Sequence, residues 1–415
     1  MMKSSLNTKN QYQGRILLIL GIIFVAFTLR PALTSVGPLT SAIRAETGMS
    51  NGAVGLVTTL PLIAFGLLSP VVSRIARKFG IELSVLIGLI ILGAGIILRS
   101  TNTIFLLFAG AAIIGFGIAI CNVLLPGIVK QSFPKKVGLI TGIYTLSMGI
   151  CAGLAPGLSI PLAESLGLGW RLSLGTWIIM IILAICFWIP QLKRKRSTAV
   201  RSAENHSKDP SIWLSPIAWQ VTLFMGLQSL AYFSITPWLP EILHGKGYDL
   251  AVAGWMVTLL QFSGLPANLI IPVLADRLPN QKGIALAIGL INITGLIGLL
   301  FSTNKILTIC CIALIGIALG AAISHSLTLI GLRAANAKQA ADLSGMAQSV
   351  GYLLSALGPF VMGFLYDLFH SWSLPIFVIM IITIIFTVSG IGAGRNQYVF
   401  QEHSAQQKEA PSTIA

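Results

Sequence analysis

The residue with the most demanding chemistry in this sequence is Arg30, which lies near the middle of the first long apolar run, residues 16 to 39. A guanidinium costs roughly 2.5 to 3.5 kcal/mol to place at the centre of a bilayer, and it cannot lose its proton to avoid that cost. A charged residue at such a depth marks a functional site by default. We therefore expect the protein to handle an anionic or electron-rich solute.

Other polar side chains in the apolar runs accompany Arg30. Thr34 follows it by four residues, so both project from the same side of a helix. Asn122 lies in the fourth run and His325 in the tenth, and neither is natural in lipid. We predict that a ring of such donors and aromatic faces lines one cavity, where it would bind a planar anion or heteroaromatic solute. The full predicted binding set is Arg30, Thr34, Asn122, Tyr144, Gln228, Tyr232, His325, Gln348 and Tyr352.

These residues also have structural interpretations. Arg30 could bond the carbonyl of Phe27, because Pro31 has no N–H to donate to it. Amides such as Gln228 pair across membrane helices, and His325 could be a buried packing residue. The sequence leaves both interpretations open.

The positions of the acidic residues bear on the charge balance. None of the 12 Asp and Glu residues falls in the middle of an apolar run, so Arg30 has no evident counter-ion. A bound anion would offset part of the cost of burying it. His325 is the one mid-depth side chain whose unperturbed pKa is near neutrality, so we predict that a co-transported proton would be carried there.

The elements that must position these residues are apolar helices. Hydrophobic residues make up 55% of the 415 residues and charged residues 9%, which is typical of polytopic membrane proteins. A run of about 20 apolar residues is long enough to cross a bilayer as a helix. We therefore predict an all-α membrane protein with twelve transmembrane helices. The runs lie near 16 to 39, 51 to 73, 81 to 99, 103 to 129, 137 to 163, 170 to 190, 215 to 240, 250 to 275, 283 to 302, 306 to 332, 343 to 366 and 372 to 394.

The net charge of +15 is distributed unevenly between the two sides of these helices. With a cytoplasmic N-terminus, 21 of the 27 Lys and Arg residues are on the inner side. This positive-inside bias predicts that both termini are cytoplasmic, and it argues for a lipid bilayer rather than nucleic acid as the partner of the basic residues. The five cysteines lie in apolar runs without ligand-like spacing, so we expect no metal site. Five basic residues fall on the outer side, namely Arg44, Arg99, Arg171, Lys246 and Lys305.

The chain is organised as two repeated halves. An offset of 202 residues aligns Thr34 with Thr236, and an offset of 203 aligns Gly142 with Gly345. Such a repeat favours two pseudo-symmetric six-helix halves with a site between them, the architecture of a major facilitator. The predicted division is residues 1–190 for the N-terminal half, 191–214 for a cytoplasmic linker, 215–394 for the C-terminal half and 395–415 for a cytoplasmic tail.

Two loops resemble the cytoplasmic motif G-x-x-x-D-R-x-G-R-R of the major facilitator superfamily. The loop after the second run contains Arg74 but lacks the aspartate, whereas the loop after the eighth run contains Asp276 and Arg277. The resemblance implies a latch between the halves at Asp276 and Arg277. Positive-inside anchoring is the alternative for Arg74.

Several segments together resemble the cyanate and nitroimidazole porter family, and the likeness extends over nearly all twelve runs. It implies a bacterial plasma-membrane transporter for a small anion such as cyanate or for a nitroimidazole-like compound. The segments are Leu29-Arg30-Pro31-Ala32, Asn122-Val123-Leu124-Leu125-Pro126, Thr141-Gly142-Ile143-Tyr144-Thr145, Gly226-Leu227-Gln228-Ser229 and Ser344-Gly345-Met346-Ala347-Gln348.

From the residues and this resemblance we predict a secondary active transporter that works by alternating access as a monomer without a cofactor. Paired mid-depth carboxylates, metal-spaced histidines and a nucleophile with its base are missing from the sequence, so we do not expect an enzyme. A channel or sensor with a transporter-like fold, and a multidrug-type exporter of small aromatic compounds, are the alternatives.

Overall fold

A computed structural model describes residues 2–133, 137–193, 211–335 and 337–400. Within these ranges the chain forms helices and no strand, which confirms the predicted all-α fold class. Residues 194–210 of the predicted linker and 401–415 of the predicted tail lie outside the described part. The boundaries predicted for the two halves, the linker and the tail stay predictions.

Nine helices of the described chain belong to the N-terminal half and six to the C-terminal half. The first half is built from α1 (Met2–Thr28), α2 (Pro31–Thr34), α3 (Thr40–Thr47), α4 (Asn51–Phe79), α5 (Ile81–Arg99), α6 (Ile104–Ser132), α7 (Val137–Ile160), α8 (Gly169–Gly175) and α9 (Ile178–Trp188). The second half is built from α10 (Pro216–His244), α11 (Leu250–Arg277), α12 (Lys282–Phe301), α13 (Lys305–Arg333), α14 (Ala337–Phe369) and α15 (Ser373–Ala393).

Eleven segments of the described chain are long and apolar enough to cross a membrane. The helices α1, α2 and α3 together form one of them, Arg15–Thr47. The helix α10 is 29 residues long but is not among the eleven, because polar residues such as Gln228 interrupt its apolar sequence. With α10 included, the described helices match the twelve predicted runs.

Side-chain caps begin several of these helices. The Ser50 hydroxyl accepts a hydrogen bond from Ala53 N at the start of α4, and Asp249 accepts from the first amides of α11. Asn304 accepts in the same way from Ile306 N at the start of α13. Each cap satisfies amides that have no partner within their own helix.

The first span is a broken helix. Because Pro31 has no N–H and its ring crowds the preceding turn, α1 ends at Thr28 and Arg30 adopts φ −115° and ψ −38°. A second break follows at Gly37–Leu39, a short 3-10 segment that contains Pro38. The single turn α2 therefore lies between two interruptions, as in transporters whose binding sites are formed by discontinuous helices.

Successive spans run in opposite directions, so their ends define two faces of the molecule. We call the face with the start of α1 and the junction at Gly80 the terminal face. The opposite side, which carries the turns at residues 48–50 and 370–372, is the distal face.

The two halves pack closely near the distal face. A Cβ on Gly55 of α4 would lie only 2.5 Å from the carbonyl oxygen of Pro359 in α14. A Cβ on Gly254 of α11 would lie 2.8 Å from the carbonyl oxygen of Pro156 in α7. By contrast, a Cβ on Gly345, near the terminal end of α14, would meet no atom within 4 Å. The two halves are therefore in close backbone contact near the distal face of the described chain.

Candidate functional site

A small cavity lies beside the break in the first span, between the two halves. The N-terminal half contributes the break between α1 and α2 and residues from α2, α4 and α6, and the C-terminal half contributes residues from α10 and α14. The lining consists of Leu29, Arg30, Leu33, Pro61, Leu62, Phe65, Ile118, Asn122, Phe233 and Tyr352.

A second small cavity adjoins the first and shares Leu33 and Phe233 with it. Its polar groups are hydroxyls from both halves, and it contains the predicted site residues Thr34 and Tyr232. The lining consists of Leu33, Thr34, Thr58, Tyr232, Phe233, Thr236 and Pro237.

The guanidinium of Arg30 is half-buried at the first cavity. Its Cζ lies 5.9 Å from the ring centroid of Phe233, within cation–π range. It makes no hydrogen bond or ion pair with a residue of the described chain, and the bond to the Phe27 carbonyl that the sequence left open is not formed. Because a cation–π contact contributes about 0.5 to 2 kcal/mol, it does not offset the full cost of placing this charge.

Aromatic side chains form the walls near Arg30. The rings of Phe65 and Tyr352 lie 4.2 Å apart between centroids, and one belongs to each half. The ring of Phe233 contacts Tyr232 edge to face at 5.0 Å. These surfaces favour a flat, polarisable solute over a branched aliphatic one.

The phenol of Tyr232 is held by an amide of the neighbouring span. Its hydroxyl donates a hydrogen bond to Oε1 of Gln261 at 3.0 Å and accepts one from Nε2 of Gln261 at 2.6 Å. The tyrosine is therefore fixed at the cavity wall.

Four residues of the predicted set do not line either cavity. Gln228 is buried and donates through Nε2 to the Met225 carbonyl and to Ser229 Oγ. Gln348 donates to Ser344 Oγ at 2.8 Å. Tyr144 is buried in the core of the N-terminal half. The fourth residue that lines neither cavity is His325.

His325 is fully buried in the C-terminal half. Its ring contacts Phe224 edge to face at 5.6 Å between centroids, and neither ring nitrogen has a hydrogen-bond partner in the described chain. Its position is that of a packing residue, which was one of its two interpretations from the sequence. Its role as a proton carrier stays a prediction.

The residues of the predicted terminal latch are only partly described. Arg277 is exposed at the end of α11. The side chains of Arg74 and Asp276 lie outside the described part of the structure, so the latch role of all three residues stays a prediction.

The sequence reasoning missed Phe65, Phe233 and Gln261. The signal for Phe233 was present, because the 202-residue offset aligns it with Pro31. An aromatic residue at the counterpart of the break was a candidate to face Arg30. Gln261 had no comparable signal.

At the distal face a carboxylate joins the two halves. Asp367 of α14 accepts hydrogen bonds from Asn51 N at 3.1 Å, from Asn51 Nδ2 at 2.6 Å and from Gly52 N at 2.8 Å. These amides begin α4, so a residue of one half caps a helix of the other, where negative charge is favoured. A second bond between the halves runs from Thr59 Oγ1 to the Ala356 carbonyl at 2.8 Å.

Comparisons with known proteins agree with this architecture. The model of the Major Facilitator Superfamily matches residues 19–356. The chain is 50% identical to the uncharacterized transporter YycB of Bacillus subtilis (strain 168), over 92% of this chain and 95% of that protein. It is 43% identical to the 2-nitroimidazole transporter of Escherichia coli (strain K12), over 95% of this chain and 99% of that protein.

A more distant relative is the cyanate transport protein CynX of Escherichia coli (strain K12), which is 25% identical over 84% of this chain and 89% of that protein. Among solved structures, a D-xylose-proton symporter superposes with a TM-score of 0.74 at 15% identity, over 94% of this chain and 100% of that one. That likeness is one of fold. The chain belongs to the Major Facilitator Superfamily, within the group that contains the 2-nitroimidazole and cyanate transporters.

Proposed function

We propose that this transporter moves a small anionic or polar planar solute, cyanate-like or nitroimidazole-like, by secondary active transport with alternating access. The observation that carries the proposal is Arg30, whose guanidinium lies at a cavity between the halves, contacts the Phe233 ring and has no hydrogen-bond or ion-pair partner in the described chain. The residue is positioned to bind a ligand, and no acidic side chain of the described residues forms an ion pair with it.

The chemistry of the lining supports this substrate class. A guanidinium presents parallel N–H donors to the oxygens or nitrogens of a planar anion or nitro group. The amide of Asn122 adds hydrogen bonding in the same cavity, and Phe233 and Tyr352 provide aromatic faces. A small cavity with these groups suits a solute of a few heavy atoms better than a large one.

The mechanism in this proposal uses the difference between the two faces. With cytoplasmic termini, the distal face would be the outer side of a bacterial plasma membrane, and the described state would be the one in which the halves are packed together on that side. Rocking of the two halves would separate α4 from α14 at the distal face and bring their terminal ends together. The bonds of Asp367 to Asn51 and Gly52 would break in that step.

Solute counterflow in proteoliposomes tests the proposal. We expect unlabelled solute inside the vesicles to accelerate uptake of labelled cyanate or labelled 2-nitroimidazole, because a carrier returns faster when it is loaded. A channel gives no such acceleration. An imposed pH gradient in the same assay, applied to the natural protein and to His325→Gln, tests proton coupling at His325.

A thermal-shift screen distinguishes the anion site from multidrug-type binding. The probes are cyanate, nitrate, nitrite, small carboxylates and nitroimidazoles. Anionic probes should raise the Tm of the natural protein and leave that of Arg30→Ala unchanged. Equal shifts by neutral aromatic compounds in both proteins would favour the exporter alternative, and folded protein without counterflow of any probe would contradict the proposal.

A further inference from the structure

Arg99 is a second guanidinium in the interior of the N-terminal half. It is the last residue of α5, it is fully buried, and it forms no ion pair in the described chain. Its Nη1 donates a hydrogen bond to the carbonyl oxygen of Ala32 in α2. Its Nε and Nη2 have no partner among the described residues.

A structural role at the helix end does not account for this arrangement. A basic residue in the last turn of a helix is favoured by the helix dipole, but burying a charge with two unbonded nitrogens costs more than that interaction returns. Arg171, near the same face, shows how a guanidinium charge is usually accommodated. It is partly exposed, bonds the carboxylate of Glu46 and lies 4.3 Å from the ring centroid of Trp170.

The backbone of Arg99 is fixed by close packing against α6. A Cβ on Gly110 would lie 2.4 Å from Arg99 N and 2.7 Å from the Gly95 carbonyl oxygen, so only glycine permits this approach. The guanidinium therefore extends from a rigid pair of helices towards the first span.

The Ala32 carbonyl that accepts the bond from Arg99 lies in the interrupted part of the first span. The turn α2 is four residues long and lies between two breaks, with Thr34 N bonded to the Arg30 carbonyl at 3.1 Å and Ser35 N to the Pro31 carbonyl at 3.0 Å. Carbonyls at such interruptions need donors from outside their own helix. Ala32 lies two residues after Arg30 and two before Thr34.

We propose that Arg99 is a positioning residue of the solute site. Its bond to Ala32 ties α2 to α5 and so sets the direction in which Arg30 and Thr34 face the two cavities. This inference rests on the proposed role of Arg30 in binding.

Substitutions separate this role from that of Arg30. Arg99→Met removes the donor, and we expect KM for labelled cyanate to rise roughly tenfold with the maximal rate within about twofold. Arg99→Lys restores one donor, so its KM should stay within about threefold of the natural value, since only one nitrogen of Arg99 is used. Arg171→Met is the matched control and should leave KM unchanged.

Hydrogen–deuterium exchange tests the same contact without a substrate. Amides of residues 29–36 should exchange roughly tenfold faster in Arg99→Met than in the natural protein and in Arg171→Met, with α6 and the C-terminal half unchanged. If no probe is transported by the natural protein, the proposed function fails, and the exchange result still decides the role of Arg99. Arg99→Gln, whose amide is too short to reach Ala32, replaces Arg99→Met if the latter does not fold.

Three results would overturn the inference. The first is an exchange rate in residues 29–36 of Arg99→Met that equals the rate in the natural protein. The second is a rise in KM that is equally large in Arg99→Lys and Arg99→Met. The third is faster exchange throughout the N-terminal half, which would mean that Arg99 contributes only to stability.

Discussion

The first span and α10 are counterparts in the repeat, they flank the same cavities, and they differ at the positions that face them. The first span contains Thr34 and α10 contains Thr236, and the repeat aligns these two residues. Where the first span has Arg30 and breaks, α10 has Tyr232 and continues as a helix from Pro216 to His244. One half thus contributes a charge on an opened backbone, and the other contributes a neutral aromatic wall. In the proposed function, a planar anion would use both contributions, the charge and the aromatic surface.

The largest expected effect comes from removing the charge from the first span. Arg30→Ala should raise KM for labelled cyanate by roughly a hundredfold or more, because a buried charge-assisted contact is lost. Arg30→Lys should retain little of the affinity, since an ammonium cannot give two parallel N–H donors. Initial rates of counterflow measure both, with Arg395→Lys as the control on the exposed terminal face. A natural KM in Arg30→Lys would exclude the bidentate contact.

Removing the break, so that the first span becomes a continuous helix like α10, should have the next largest effect on transport. Pro31→Ala restores an N–H for the Phe27 carbonyl, so α1 should extend through Arg30 and turn its side chain. We expect the transport rate to fall roughly tenfold while the Tm stays equal or rises, because proline inside a helix is destabilising. Pro240→Ala, in the continuous α10, is the control and should transport at the natural rate. A natural rate in Pro31→Ala would mean that the break has no part in transport.

The aromatic wall of α10 should matter less than the charge it faces. Phe233→Leu keeps the apolar volume but removes the ring from Arg30, so KM should rise about threefold to tenfold, as expected for a cation–π contact of this class. Labelled 2-nitroimidazole should be affected more than labelled cyanate, since only the former has a ring to stack. Equal effects on the two probes would contradict stacking at Phe233.

The smallest effect is expected at the direct counterpart of Arg30. Tyr232→Phe removes the hydroxyl that bonds Gln261 in both directions, which should lower stability by about 1 kcal/mol and change KM by no more than about threefold. Thermal unfolding and counterflow together measure this. A loss as large as that of Arg30→Ala would show that α10 contributes polar binding as well as an aromatic surface.

The fold was predictable from hydropathy and from single residues. The apolar runs indicated the spans, and Pro31 indicated that the Phe27 carbonyl has no helical N–H donor. The 202-residue offset aligns Arg30 with Tyr232, and the two residues line adjoining cavities.

Other parts of the site depend on rotation and packing that spacing does not specify. An interval of four residues advances 40° beyond a full helical turn, so Gln228 and Thr236 on α10 differ by about 80° in direction. Thr236 consequently lines a cavity, whereas Gln228 lines neither cavity. The position of Arg99 at the end of an apolar run does not indicate whether its side chain is buried, and only its burial and its bond to Ala32 show that it points into the N-terminal half.

The close contact of Gly55 with α14 near the distal face also suggests an experiment. The hydrogen of Gly55 faces the backbone of α14, and backbone atoms cannot move aside as a flexible side chain can. A single methyl group at Gly55 would clash with α14 in the described state and would be tolerated in the proposed state with separated distal ends. The alanine variant is therefore a route to trapping the opposite conformation for structure determination, without an antibody or a bound inhibitor.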